Sequence, residues 1–230
     1  MNMRGIKRFG WDLLQLHRNN LVVLAFVVAG MYLGIFKLLE PLGTLRSMLV
    51  LLVFNDPVVT GLLFGGVIML FEKSQNTLAA VQVSPLSLEK FLASKVLALT
   101  FLATVSALLM NLAAIGIHFN WLHFILGTAL ISAFFILAGF YFGQQSQHFT
   151  QFLVKSIGFI LISALPFLGY YEVVPEIYFY WLPPFAGIKL IEAAYFPVAW
   201  PYILYGYGYL ILSILLFWRT LINKLQNASL

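Results

Sequence analysis

The sequence predicts an all-α polytopic membrane protein of six transmembrane helices, built as one transmembrane domain over residues 1–230. Three observations carry this prediction. Of the 230 residues, 62% are hydrophobic and 9% charged, and the mean hydropathy is +0.95, which excludes an ordinary soluble fold. A hydrocarbon core of about 30 Å takes about 20 apolar helical residues per crossing, and the chain holds six apolar stretches suited to a crossing. The 13 Lys and Arg residues are distributed unequally between the two sets of connections. There is no cysteine, so disulfide and thiolate chemistry are excluded.

Residues 1–20 form the first element. Ile6, Phe9, Leu13 and Leu16 recur at helical spacing, while Arg4, Lys7, Arg8, Asp12, Gln15 and Arg18 fall mostly opposite. With Trp11 among them, the pattern predicts an amphipathic helix lying along the lipid surface, basic on its wet side, before the chain turns in at Asn19-Asn20. A basic start followed by an apolar run is also the layout of a signal peptide. No small-residue cleavage pattern follows, so residues 21–38 are expected to remain as the first span.

The second apolar run, 48–71, is interrupted by Asn55-Asp56-Pro57. Asp56 as an N-cap with Pro57 in the first helical position accounts for the interruption, and predicts that the main helix of this span begins at Pro57. An ion or proton role for Asp56 is the alternative, because an ionisable side chain at membrane depth is a functional-site suspect by default. The third span lies within 91–117 and the fourth within 121–143, joined by a turn that contains His118 and His123. With no carboxylate or further histidine nearby, the pair gives no metal site. A polar loop at 144–151 leads to a fifth span within 152–170.

Residues 171–201 fit neither a loop nor a span. They carry Glu172, Glu176 and Glu192, the aromatic run Tyr178-Phe179-Tyr180-Trp181, and Pro175, Pro183, Pro184, Pro197 and Pro201. The prolines forbid a continuous 20-residue helix. One or two short re-entrant helices dipping into the outer leaflet, one of them at about 185–196, are expected, with the aromatics at headgroup depth. The sixth span, about 202–218, ends at Trp218-Arg219.

Charge sets the orientation. The amino-terminal segment, the connection between spans two and three, Lys155, Arg219 and Lys224 place ten Lys and Arg residues on one side, and Lys37, Arg46 and Lys189 place three on the other. The positive-inside rule puts both termini in the cytoplasm of a multi-pass protein of the cell membrane, plasma or inner. Gly30 and Gly34, Gly61 and Gly65, and Gly139 and Gly143 form small-xxx-small pairs suited to close helix packing, within one subunit or across a dimer. No internal repeat of the kind many secondary transporters carry is evident.

The chain contains no G-x-x-x-x-G-K-[ST] phosphate loop, no H-E-x-x-H and no G-x-S-x-G elbow. Its spans are almost free of charge away from their ends. It is therefore not expected to be an enzyme, and basic residues spread along a membrane face do not form a nucleic-acid site. The polar segment from Glu72 to Lys95, in contrast, is far longer than the roughly 2–8 residues a helix connection needs. Glu72-Lys73 ends the second span, Leu78, Val81 and Gln82 lie on a short helix, and Ser84 caps a second helix that Pro85 and Leu86 begin and Glu89-Lys90 continue. A helix, a sharp reversal and a second helix at the cytoplasmic surface make a docking element.

The order Glu72-Lys73, Thr77-Leu78, Ser84-Pro85-Leu86-Ser87 and Ser94-Lys95 resembles the signature of type-2 ABC-transporter permeases, roughly E-[KR]-x-x-G-T-L, a variable step, [ST]-P-L-S and a closing S-K. Asn76 stands where that family usually has Gly. The basic amino-terminal helix, the six spans and the proline-led stretch LPPFAGIKLIEA at 182–193 are similar as well. The resemblance implies the permease subunit of an ABC exporter that pairs with an identical or similar second chain and docks two copies of a separate ATPase. ATP and Mg would be bound by that partner, and this chain would hold no cofactor. It further implies that residues 72–95 are the coupling helix, that the interfacial helix is a second contact, that membrane lipid surrounds the chain, and that the cargo is amphipathic, lipid-like or drug-like. Two other readings remain open on residues alone: an autonomous carrier or channel using Asp56 and the outer glutamates, and a scaffold or accessory subunit.

Overall fold

The computed structural model describes residues 3–39, 45–82 and 87–227. It is all helical over them. Helix α1 (Met3–Arg18) turns at Asn20, whose φ is 58°, into α2 (Leu21–Leu39). The next span is continuous from Ser47 to Ser74, made of α3 (Leu45–Pro57), a π-helical turn (Val58–Leu63) and α4 (Phe64–Ser74). A short α5 (Thr77–Gln82) precedes α6 (Leu88–Ile115) and α7 (Trp121–Gln144). Then come α8 (Phe149–Ala164), α9 (Pro166–Tyr170), a 3-10 turn (Glu176–Phe179), α10 (Pro183–Glu192) and α11 (Trp200–Asn227). Six helices are long and apolar enough to cross a membrane, which makes this a multi-pass membrane protein.

One expectation is overturned in the second span. Pro57 does not start a helix and Asp56 does not cap one: the helix runs through both into the π-turn. Proline has no N–H to give the preceding turn and its ring crowds that turn, and widening the next turn to π geometry lets the chain continue. Thr60 Oγ1 donates to the Asp56 carbonyl at 2.6 Å. Tertiary packing explains why the break is resolved inside a helix, since both halves of this span lie against α7. There, Cβ atoms on Gly65 and Gly143 would stand 2.8 Å from the Ile136 carbonyl oxygen and 2.7 Å from the Gly66 carbonyl oxygen. These glycines therefore pack spans two and four within one chain. Cβ atoms on Gly30 and Gly34 would meet nothing within 4 Å among the described residues.

The sixth span is longer than expected, because α11 continues through Asn227 and the residues past Arg219 extend the helix. Two apolar clusters hold the bundle. One centres on Phe54, Phe134, Phe135 and α10, the other on Leu92, Leu99, Phe140 and Leu221 at the end that carries the termini. Helix α10 is sheathed by α3, α7 and α11, and every residue from Pro184 to Ile191 is buried. Gly187 admits Ile131 and Gly127 admits Leu190. Ile131 lies about 15 Å along α7 from its first residue.

Candidate functional site

The termini-bearing end of the bundle gathers the residues that the sequence singles out. Helix α4 stops where Gln75 and Asn76 turn the chain, and Asn76 adopts φ 55°. Asparagine tolerates this left-handed conformation better than other residues with a Cβ, which explains how it stands where the resembling family has Gly. Beyond the turn α5 runs to Gln82, with Val81 buried. Leu78 and Gln82 lie on its backbone, whereas Ser84, Pro85 and Leu86 fall outside the described residues; Ser87 is extended and α6 starts after it at Leu88, so the helix expected to begin at Pro85 begins later. Glu89 and Lys90 are exposed on the first turn of α6.

Glu72 and Lys73 point inward. Lys95 Nζ sits 2.7 Å from Glu72 Oε1 and 3.6 Å from Asp12 Oδ1, donates to Gln15 Oε1 at 3.1 Å and lies 4.8 Å above the Phe91 ring. Ser94 Oγ donates to Asp12 Oδ2. Lys95 and Glu72 are each only 5% exposed. Taking such ions out of water costs several kcal/mol each, and the arrangement holds only because hydrogen bonds and mutual attraction offset that cost. The result is one knot joining α1, the end of α4 and the start of α6. Lys73 Nζ donates to the carbonyls of Gln144 at 3.1 Å and Ser146 at 3.0 Å, and Lys155 to that of Gln145 at 2.9 Å, so two ammonium groups close the carboxyl end of α7.

The apolar stripe of α1 faces the bundle. Phe9, Leu13 and Leu16 pack into the bundle, with the Phe9 ring 5.9 Å from that of Phe101, while Trp11 and Leu14 are exposed. Arg4, Lys7 and Arg8 occupy its first two turns. Trp11, Asp12, Leu14, Gln15, Arg18 and Asn19 face Gln75 across a cleft of about 430 Å³.

At the opposite end a second knot forms. Lys189 Nζ, buried in α10, lies 2.5 Å from Glu176 Oε1 and 3.0 Å from Glu192 Oε2. Its ammonium also stands 5.5 Å from the Phe185 and Tyr202 ring centres. The hydroxyls of Tyr205 and Tyr209 donate to the carbonyls of Tyr180 and Trp181. Tyr180 and Tyr202 share a hydrogen bond of 3.2 Å that, helped by burial, pushes the Tyr180 phenol up to about 12. Pro183 and Pro184 fill the first positions of α10, Trp181 is exposed, and Glu172 occupies a left-handed turn with φ 58°. His123 Nδ1 is 2.9 Å from the Tyr207 hydroxyl, and no metal-ligating cluster occurs among the described residues.

Sequence reasoning missed Lys95, Asp12, Gln15, Ser94 and Lys189 as partners. Asp12 held a signal: it is the one acidic residue before Glu40, on an otherwise basic helix.

The profile of the Fluoroquinolones export permease protein family matches residues 10–226. The chain belongs to that family. This agrees with the resemblance carried by the 72–95 segment. Among its relatives are the fluoroquinolones export permease proteins of Mycobacterium tuberculosis strains CDC 1551 / Oshkosh and ATCC 25618 / H37Rv, each 25% identical over 142 residues. The match covers 61% of this chain and 60% of each relative. No solved structure matches. In this permease family member the two knots bracket the bundle, one at each end of the spans.

Proposed function

We propose that this permease is the membrane subunit of an ATP-driven ABC exporter that moves amphipathic, drug-like molecules, fluoroquinolones among them, out of the cell. Family membership supports drug export, and the observation that carries the mechanism is the knot centred on Lys95. In this reading the termini-bearing end faces the cytoplasm, α5 and the amino end of α6 are the coupling segment, and Glu89 and Lys90 are its outward charges. Each of two ATPase subunits binds ATP and Mg and seats against one permease chain. The cleft between α1 and Gln75 offers a second contact.

Closure of the ATPases pushes on α5. Because Lys95 ties Asp12 on α1 to Glu72 on α4, the three helices move as one body, so displacement passes into the second and third spans and is not absorbed at their ends. Glu72 and Lys73 then act as positioning residues, since their charged groups are engaged inside the chain. At the opposite face α10 is a re-entrant helix that reaches the middle of α7, and Glu176, Lys189 and Glu192 hold it as an outer cover. Two such chains, identical or similar, form the pathway between them.

The test is fluoroquinolone accumulation in cells that express the chain with its ATPase. Accumulation is expected to fall with the active ATPase, and to return when the phosphate-loop lysine of the ATPase is replaced by alanine. Equal export by the chain alone would sink the proposal.

A further inference from the structure

We propose that Asp56 is a proton-binding site: its carboxyl carries a proton while the bundle is closed around it, and releases that proton to water when the second span opens at the π-turn. Asp56 lies about 13 Å along the helix axis from Ser47 and has no exposed surface. Its Oδ2 is 3.1 Å from Ser106 Oγ, and its Oδ1 is buried with no hydrogen-bond partner. A carboxylate enclosed with a single hydrogen bond and no counter-ion is a far more costly species than the neutral acid.

Among the described residues, the neighbouring elements supply no such counter-ion. Helix α2 brings Tyr32 within electrostatic reach, a group that is neutral or negative, while its Lys37 is exposed with its ammonium 5.9 Å from the Phe36 ring centre. Helix α6 brings Ser106 and has no titratable residue between Lys95 and Ile115. Of the titratable groups on α10, Lys189 and Glu192 are bonded to each other. On α7, His123 is bonded to Tyr207 and Tyr141 packs at the termini-bearing end under Lys224. On α8, Lys155 is bonded to the Gln145 carbonyl. With no surface exposed to water, the neutral acid is the favoured form.

The means of release is next in sequence. Pro57 gives no N–H to the turn before it, and the π-turn that follows is a weak point of the helix of a kind often found at functional sites. When the two halves of the span move apart there, water reaches the carboxyl. The O–H bond breaks, its electron pair stays on the carboxylate, and the proton passes to water as hydronium. Alkaline pH then favours the open form, and acidic pH the closed one. The effect on transport rests on the permease reading, but the site itself does not.

Asp12 and Asp56 are the only aspartates in the chain, which makes the site directly observable. Protein carrying carboxyl-¹³C aspartate, in lipid nanodiscs, is followed by infrared difference spectroscopy between acidic and alkaline pH. The expected result is a protonated-carboxyl stretch at neutral pH that is lost on alkalinisation, persists in Asp12→Asn, is absent from Asp56→Asn and changes frequency in Ser106→Ala. A wild-type spectrum without that band at neutral pH, or a band unaffected by Ser106→Ala, overturns the proposal even if Asp56→Asn fails to fold. Loss of drug export with the band intact would overturn the permease reading and leave the proton site standing.

Discussion

Lys95 is the residue on which the termini-bearing end depends. It has two acidic partners and a glutamine, and its removal leaves Glu72 buried without a counter-charge. Lys95→Met is predicted to destabilise the protein by about 3–5 kcal/mol, the cost of an orphaned buried charge. Adding Glu72→Gln should recover part of the loss, because the unpaired carboxylate is then gone; thermal unfolding in detergent measures both. The sequence displayed Glu72 and Lys95 as charges flanking a polar loop, so their place at one membrane face was legible. That they meet each other and Asp12, 83 positions before Lys95, was not, since helix periodicity carries no information on which helix packs against which. Asn76 was more transparent. Its left-handed φ predicts that Asn76→Gly leaves unfolding unchanged, whereas Asn76→Val costs about 1–3 kcal/mol, a difference the same melting experiment resolves.

Among the elements, the second span taught most where local rules misled. Asp-Pro in an apolar run obeys the N-cap rule, but that rule holds when the preceding turn is free to leave the helix axis. Here Leu49, Val50, Val53 and Phe54 are buried in the bundle, so the turn before Pro57 is held on the axis and the mismatch appears as a π-turn. The small-residue pairs were legible as packing faces but not as to partner. Their contacts now separate them: a Cβ on Gly139 would run into the Leu62 carbonyl oxygen and the Gly66 nitrogen, whereas Gly30 has open space. Gly139→Ala is predicted to force α7 from α4 and the π-turn, losing about 1–3 kcal/mol or more and lowering the yield of monodisperse protein. Gly30→Ala should leave the yield unchanged, because among the described residues a Cβ there meets nothing within 4 Å.

For the whole molecule, the number of spans was readable because hydropathy alone sets it, while the assignment of face to function depends on which charges remain outside once the fold has used the rest. Of the four charges that frame the proposed coupling segment, Glu72 and Lys73 are engaged within the chain, and Glu89 and Lys90 are exposed. Pairing between exposed charges contributes little to folding, but exposed charges set the register and the rate of association with a partner. Reversing both, with Glu89→Lys and Lys90→Glu together, is therefore predicted to leave the melting midpoint near wild type while abolishing drug-stimulated ATP hydrolysis by the reconstituted complex. Lys95→Met should lower both together. If the double reversal left coupled hydrolysis intact, the ATPase would have to be sought at the cleft between α1 and Gln75, where Arg18, Trp11 and Leu14 remain outside.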